Sequence, residues 1–155
     1  MPAIRRLLVV LALVVAVALV AAAPSQAQGA TTKCAAVAVL KPGNEVPPTD
    51  SRTSGAAAVH INGTRLSFAV AIANPERETF FAGHIHIGAA GVNGDIRVGL
   101  FMGSSDRRLF TQFDSIEIAE ADAKAICGDL AGHYVNYHTT THRGGALRGQ
   151  LVRLF

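Results

Sequence analysis

From about residue 35 onward, apolar and polar positions alternate along much of the chain, and turn-forming residues separate the alternating stretches. Leu66, Phe68, Val70 and Ile72 interleave with Arg65, Ser67, Ala69 and Ala71, the period of two that turns one face of a strand toward a core. The run from Gly55 to Ile61 precedes it across Asn62-Gly63, a dipeptide suited to two positive φ angles, so a hairpin is expected with arms at 55–61 and 64–73. An apolar run from Ala35 to Leu40 predicts a first strand that stops at Lys41-Pro42-Gly43-Asn44 and gives way to a loop through Pro47-Pro48. Further strands are expected at 79–87, around 96–100, at 109–118, at 133–139 and at 146–154, the last two joined by a turn over 141–145. One helix is expected over 117–126, where the chain is Ala-rich with acids early and Gly128 just beyond. Short strands punctuated by turns predict an all-β fold, an antiparallel β-sandwich or barrel-like domain with one short helix.

The N-terminus breaks the pattern. Leu7 to Ala23 is an uncharged run of 17 apolar residues, preceded by Arg5-Arg6 and followed by Pro24-Ser25-Gln26-Ala27. That sequence reads as a secretory signal peptide over residues 1–27, cut after Ala27, because Ser25 and Ala27 supply the small residues a cleavage site needs. Residues 28–155 are then expected to form a single exported domain, secreted or held in the cell envelope or periplasm. An uncleaved anchor is the alternative, since about 17 apolar residues reach the lower end of a membrane span. Arg5-Arg6 suits the Sec and twin-arginine routes equally.

Charge and cysteine content narrow the partners. The chain has 14 Lys plus Arg against 11 Asp plus Glu, and removal of Arg5 and Arg6 leaves 12 basic residues, a nearly neutral mature protein. Its longest basic run is Arg107-Arg108, so neither nucleic acid nor, after signal cleavage, a membrane is an expected partner. Cys34 and Cys127 have one intramolecular pairing open to them, which an oxidising compartment favours. A bridge closing about 93 residues contributes roughly 4 to 5 kcal/mol by loop entropy. A thiolate ligand or nucleophile is the alternative, without a Cys-x-x-Cys spacing to support it.

Six histidines survive processing: His60, His84, His86, His133, His138 and His142. In a strand, His84 and His86 of Gly83-His84-Ile85-His86 share a face, as do Tyr134, Asn136 and His138 on another. If those strands are neighbours, three imidazoles converge, a donor set suited to copper or zinc. The competing expectation is that they are framework histidines satisfied by hydrogen bonds. His142, in a turn, is a candidate fourth ligand or a solvated loop residue; His133 has the opposite parity, and His60 is expected at the surface.

Four stretches in order resemble the CHRD domain: Leu40-Lys41-Pro42-Gly43-Asn44-Glu45-Val46-Pro47-Pro48, Gly83-His84-Ile85-His86-Ile87-Gly88 with Asn93-Gly94, Tyr134-Val135-Asn136-Tyr137-His138-Thr139, and Gly144-Gly145-Ala146-Leu147-Arg148-Gly149-Gln150-Leu151. The resemblance spans about residues 35–155 and implies an extracytoplasmic all-β domain of a family largely without an assigned activity. It places motif positions on Glu45, Pro47, His84, His86, Asn136, His138, Arg148, Gly149 and Gln150. Two departures stand out: Ala146 lies where the family usually has an acidic residue, and His133 where a small polar one is common. Arg148 is expected to pair with Glu45, pinning the first loop to the last strand; anion binding is its alternative role.

Three functions compete. The first is an exported binding module holding Cu or Zn through His84, His86 and His138. The second is a structural or adhesive module that binds a protein or envelope partner without metal, with Phe80-Phe81 or Phe101-Met102 as candidate apolar patches. The third is a superoxide dismutase-like metalloenzyme, which would need a further, bridged zinc site that the histidine spacing lacks. Hydrolase signatures such as Gly-x-Ser-x-Gly and His-Glu-x-x-His are absent from the sequence.

Overall fold

The computed structural model describes residues 31–154, so the expected signal peptide lies outside the described residues. Nine strands form two antiparallel sheets. The first sheet has the order β6-β3-β2-β1-β9, from Leu109–Glu117, Arg65–Ala73, Ser54–Asn62, Lys33–Leu40 and Val152–Arg153. The second has the order β5-β4-β7-β8, from Ile96–Ser105, Phe80–Ile87, His133–Thr139 and Leu147–Gln150. One helix, α1, spans Glu120–Gly128 and buries Ala123 and Ile126. The arrangement is sandwich-like, as the alternation predicts.

Between the sheets lies an apolar core to which the period-two positions contribute. Leu66, Phe68, Val70 and Ile72 of β3 meet Ile85 of β4, Val135 and Tyr137 of β7 and Leu147 of β8 in one cluster. At one end Phe80, Phe101, Phe110 and Tyr137 pack ring on ring, with centroids 5.1 to 6.4 Å apart. Each fully buried side chain among these, such as Phe80 or Ile72, is worth about 1.5–3 kcal/mol relative to exposure. The disulfide Cys34–Cys127 ties β1 to α1 across 93 residues. Among the described residues no helix is long and apolar enough to cross a membrane.

Three local expectations are corrected. The β2–β3 pairing runs Asn62 opposite Arg65, so the two-residue turn is Gly63-Thr64 rather than Asn62-Gly63. Gly63 alone takes a positive φ, 65°, at the first central position, where a type II′ turn requires glycine. The helix begins at Glu120, leaving Glu117 at the end of β6 opposite Arg65. Finally, the expected last strand divides at Leu151. β8 belongs to the second sheet and β9 to the first, while Leu151, 1 % exposed, fills the core at the crossing.

Candidate metal centre

Every residue of β7 is buried, although alternate side chains must point away from the inter-sheet core. Val135 and Tyr137 face inward; Tyr134, Asn136 and His138 face out, in register with His86, His84 and Ala82 of β4. What covers this outer face is loop. Asn44 Nδ2 donates to Arg148 O at 3.1 Å, Thr49 Oγ1 to Ala146 O at 3.0 Å, and Asn93 Nδ2 to Val46 O at 2.6 Å. A polar sheet surface thereby becomes a second, polar interior.

Within it His84, His86 and His138 converge, each offering one ring nitrogen, and these atoms all lie within 4.8 Å of one another. The hydrogen bonds assign the tautomers. His86 Nδ1–H donates to Gly94 O at 2.9 Å, which leaves its buried Nε2 as a lone pair with no partner. His138 Nδ1–H likewise donates to Arg143 O at 3.0 Å, so its Nε2 is an acceptor. His84 Nδ1 sits 3.1 Å from that Nε2 and, in the neutral pair, carries the proton between them. Burial, and for His84 the neighbouring His138 and His86, holds all three below the ordinary histidine value, His84 at about 4. Three neutral imidazoles, two of them oriented by backbone carbonyls, are what a copper or zinc ion needs, since protonated rings could not ligate.

Arg148, 1 % exposed, does not form the expected pair with Glu45. Its guanidinium donates instead to Ala89 O at 2.9 Å, Val92 O at 2.8 Å and Asn93 Oδ1 at 3.3 Å, and its Cζ lies 3.3 Å from the Tyr134 ring centroid. Loop carbonyls and an aromatic face satisfy the cation where a carboxylate was expected. Glu45 accepts from Asn136 Nδ2 with both oxygens, at 3.0 and 3.1 Å, and burial pushes its carboxyl up to about 7 despite Arg148, Asn136 and His142. A Cβ at Gly145 would meet Asn136 Nδ2 and Glu45 Oε2 at 2.6 Å, and φ there is 143°, so glycine is needed for the turn to close over this contact. The first loop is still pinned to the last strand, through Asn44 and the Lys41–Arg148 bridge.

His142 stands outside the three-histidine group. Both its nitrogens are engaged, Nδ1 with Glu78 Oε2 at 2.8 Å and Nε2 with Asp50 Oδ1 at 2.9 Å, which removes it as a fourth ligand. His133 donates to Asp129 O at 2.7 Å, and His60 is exposed on β2. Of the candidate apolar patches, Phe80 is fully buried while Met102 is 80 % exposed. The carbonyls of Gly94 and Arg143 were not legible as site elements, because a backbone acceptor has no residue-type signature. Glu78 lay hidden in the charged stretch Glu76-Arg77-Glu78.

The CHRD domain family model matches residues 36–151 of the chain. No curated protein and no solved structure matches it.

Proposed function

The chain belongs to the CHRD-domain family, and we propose that it is an exported binding protein that holds one copper or zinc ion through His84, His86 and His138. The observation that carries this reading is the unpartnered lone pair of His86 Nε2, buried beside two other ring nitrogens. A buried polar atom without a hydrogen bond costs about 1–3 kcal/mol, and an ion on the three rings would remove that cost. The rings supply nitrogen donors that suit either metal, and the hydrogen bonds to Gly94 O and Arg143 O keep two of them aimed. Export is supported by the Cys34–Cys127 disulfide and by the apolar N-terminal segment that reads as a signal peptide. Storage, delivery or sensing of a metal in an oxidising compartment is the role this chemistry fits.

An adhesive module is the second reading, supported by Met102 at 80 % and Phe113 at 78 % exposure. A dismutase-like enzyme would need a second, bridged metal, and among the described residues one group of this kind forms.

Isothermal titration of the oxidised mature domain with Zn(II), and with Cu(I) under anaerobic conditions, tests the reading. Micromolar or tighter binding at one equivalent, lost in His84→Ala/His86→Ala, is expected. Equal weak binding by wild type and variant would overturn it and turn attention to the exposed apolar residues.

A further inference from the structure

His142 is the hub of the turn between β7 and β8. Its carbonyl accepts from Thr139 N at 3.3 Å and Gly145 N at 3.1 Å, and its own N–H donates to Thr139 Oγ1 at 3.0 Å. Its ring reaches across to two other loops, at Glu78 and Asp50. Ionised carboxylates only accept, so a ring held between two of them carries a proton on each nitrogen and is an imidazolium. Glu78 is itself locked: Ser51 Oγ donates to Oε1 and Thr139 Oγ1 to Oε2, each at 2.6 Å. The next residue along the chain, Arg143, presents the carbonyl that accepts the hydrogen bond from His138 Nδ1–H.

We propose that His142 is a positioning residue for the three-histidine site: clamped between Glu78 and Asp50, it fixes the β7–β8 turn so that Arg143 O keeps the His138 proton on Nδ1 and the lone pair on Nε2, facing the other two rings. This rests on the metal-binding reading above. The alternative tautomer of His138 would put its proton on Nε2, where a ligand lone pair is needed. Loosening the turn therefore acts on the metal without touching it.

The clamp has a defined pH range. Hydrogen bonds donated to Asp50 and Glu78, working against burial, hold His142 above its ordinary value. Burial raises Glu78, but Ser51, Thr139 and His142 outweigh it and hold the carboxyl below its usual range; Asp50 is lowered chiefly by His142. Glu45 also feels the His142 charge, Arg143 follows it directly, and Glu76 and Arg77 line the same cleft. The clamp is intact where Glu78 and Asp50 are ionised and His142 is protonated, and it is lost as pH rises through the elevated His142 value.

The test reads the tautomer of His138 by ring nitrogen chemical shifts in the metal-free protein, alongside Zn(II) affinity across pH 6 to 9. Wild type is expected to hold the Nδ1–H form, His142→Ala to show a mixture of both forms, and Zn(II) affinity in that variant to fall about 10–100-fold. Asp50→Asn, at an exposed carboxylate, removes one side of the clamp and is expected to move the high-pH loss of affinity to lower pH. An unchanged Nδ1–H tautomer in His142→Ala, or a pH profile unmoved by Asp50→Asn, would overturn the proposal. The tautomer needs no metal to be read. A protein that binds no Zn(II) while His142→Ala still mixes the tautomers would overturn the metal reading and keep the hold of His142 on His138.

Discussion

Arg148 sits over Tyr134 with its Cζ 3.3 Å from the ring centroid, and His86 stacks on the same tyrosine at 4.9 Å with the planes 7° apart. The same guanidinium holds the carbonyls of Ala89 and Val92, in the loop that carries Gly94, the acceptor for His86. One buried cation therefore supports a proposed ligand from two directions, through an aromatic ring and through a loop.

Lysine offers a point charge and cannot reproduce that fork. Arg148→Lys is expected to lose about 2–4 kcal/mol of stability and to weaken Zn(II) binding, whereas His60→Ala, at an exposed residue of β2, leaves both unchanged. Chemical denaturation and zinc titration of the two variants check this. A stable, fully binding Arg148→Lys would show that the stack and the loop contacts do not act on His86.

Glu45 makes a prediction of opposite sign to that of Glu78, whose hydrogen bonds outweigh its burial. Its carboxyl is raised to about 7, chiefly by burial, so the folded state holds the proton more tightly than the unfolded chain. Its stabilising contribution is full below about pH 4.5 and is lost as pH rises through about 7. Glu45→Gln keeps an oxygen for the Asn136 amide and removes the charge. Melting at pH 5 is expected to match wild type, and at pH 8.5 the variant is expected to be more stable by about 1–3 kcal/mol. A variant that is less stable at pH 8.5 would mean that Arg148 already offsets the buried carboxylate.

Acid acts on the histidine group in the other direction. His84, His86 and His138 are held below their ordinary values, His84 at about 4, so the unfolded chain takes up protons that the folded one refuses. Stability is full above about pH 6.5 and falls as pH drops through the window down to about 4. Below about 4.5 Glu78, held under its usual range, adds to the loss. Protons and metal compete for the same lone pairs, so the rise in melting temperature on adding Zn(II) is expected to be largest near pH 7 and to vanish toward pH 4. A zinc-induced shift of equal size at both pH values would place the ion elsewhere.

The sequence made the strand positions legible because the inter-sheet core imposes a period of two, and β3 obeys it at every position from Leu66 to Ile72. Parity also put His84 and His86 on one face of their strand and His138 on one face of its own, and the β4–β7 pairing joins the two faces. It could not show that this face is buried, because the cover is loop backbone: the carbonyls of Ala89, Val92, Gly94 and Arg143 carry no side-chain signal. For the same reason Arg148 was assigned a carboxylate and found carbonyls. Leu151 escaped for a different reason, since the strand was expected to run on through the adjacent apolar Val152, which is 60 % exposed on the other sheet. The His142 clamp depends on Asp50 and Glu78, brought from 92 and 64 residues away, a separation at which no spacing rule operates.

The most direct test of the metal site is a titration of the oxidised domain with Zn(II) followed on the imidazole resonances of all six histidines at pH 7. The account predicts that His84, His86 and His138 shift together and saturate at one equivalent, while His60, His133 and His142 stay in place. Saturation on His60 or His142, or the absence of any shift at His86, would contradict it.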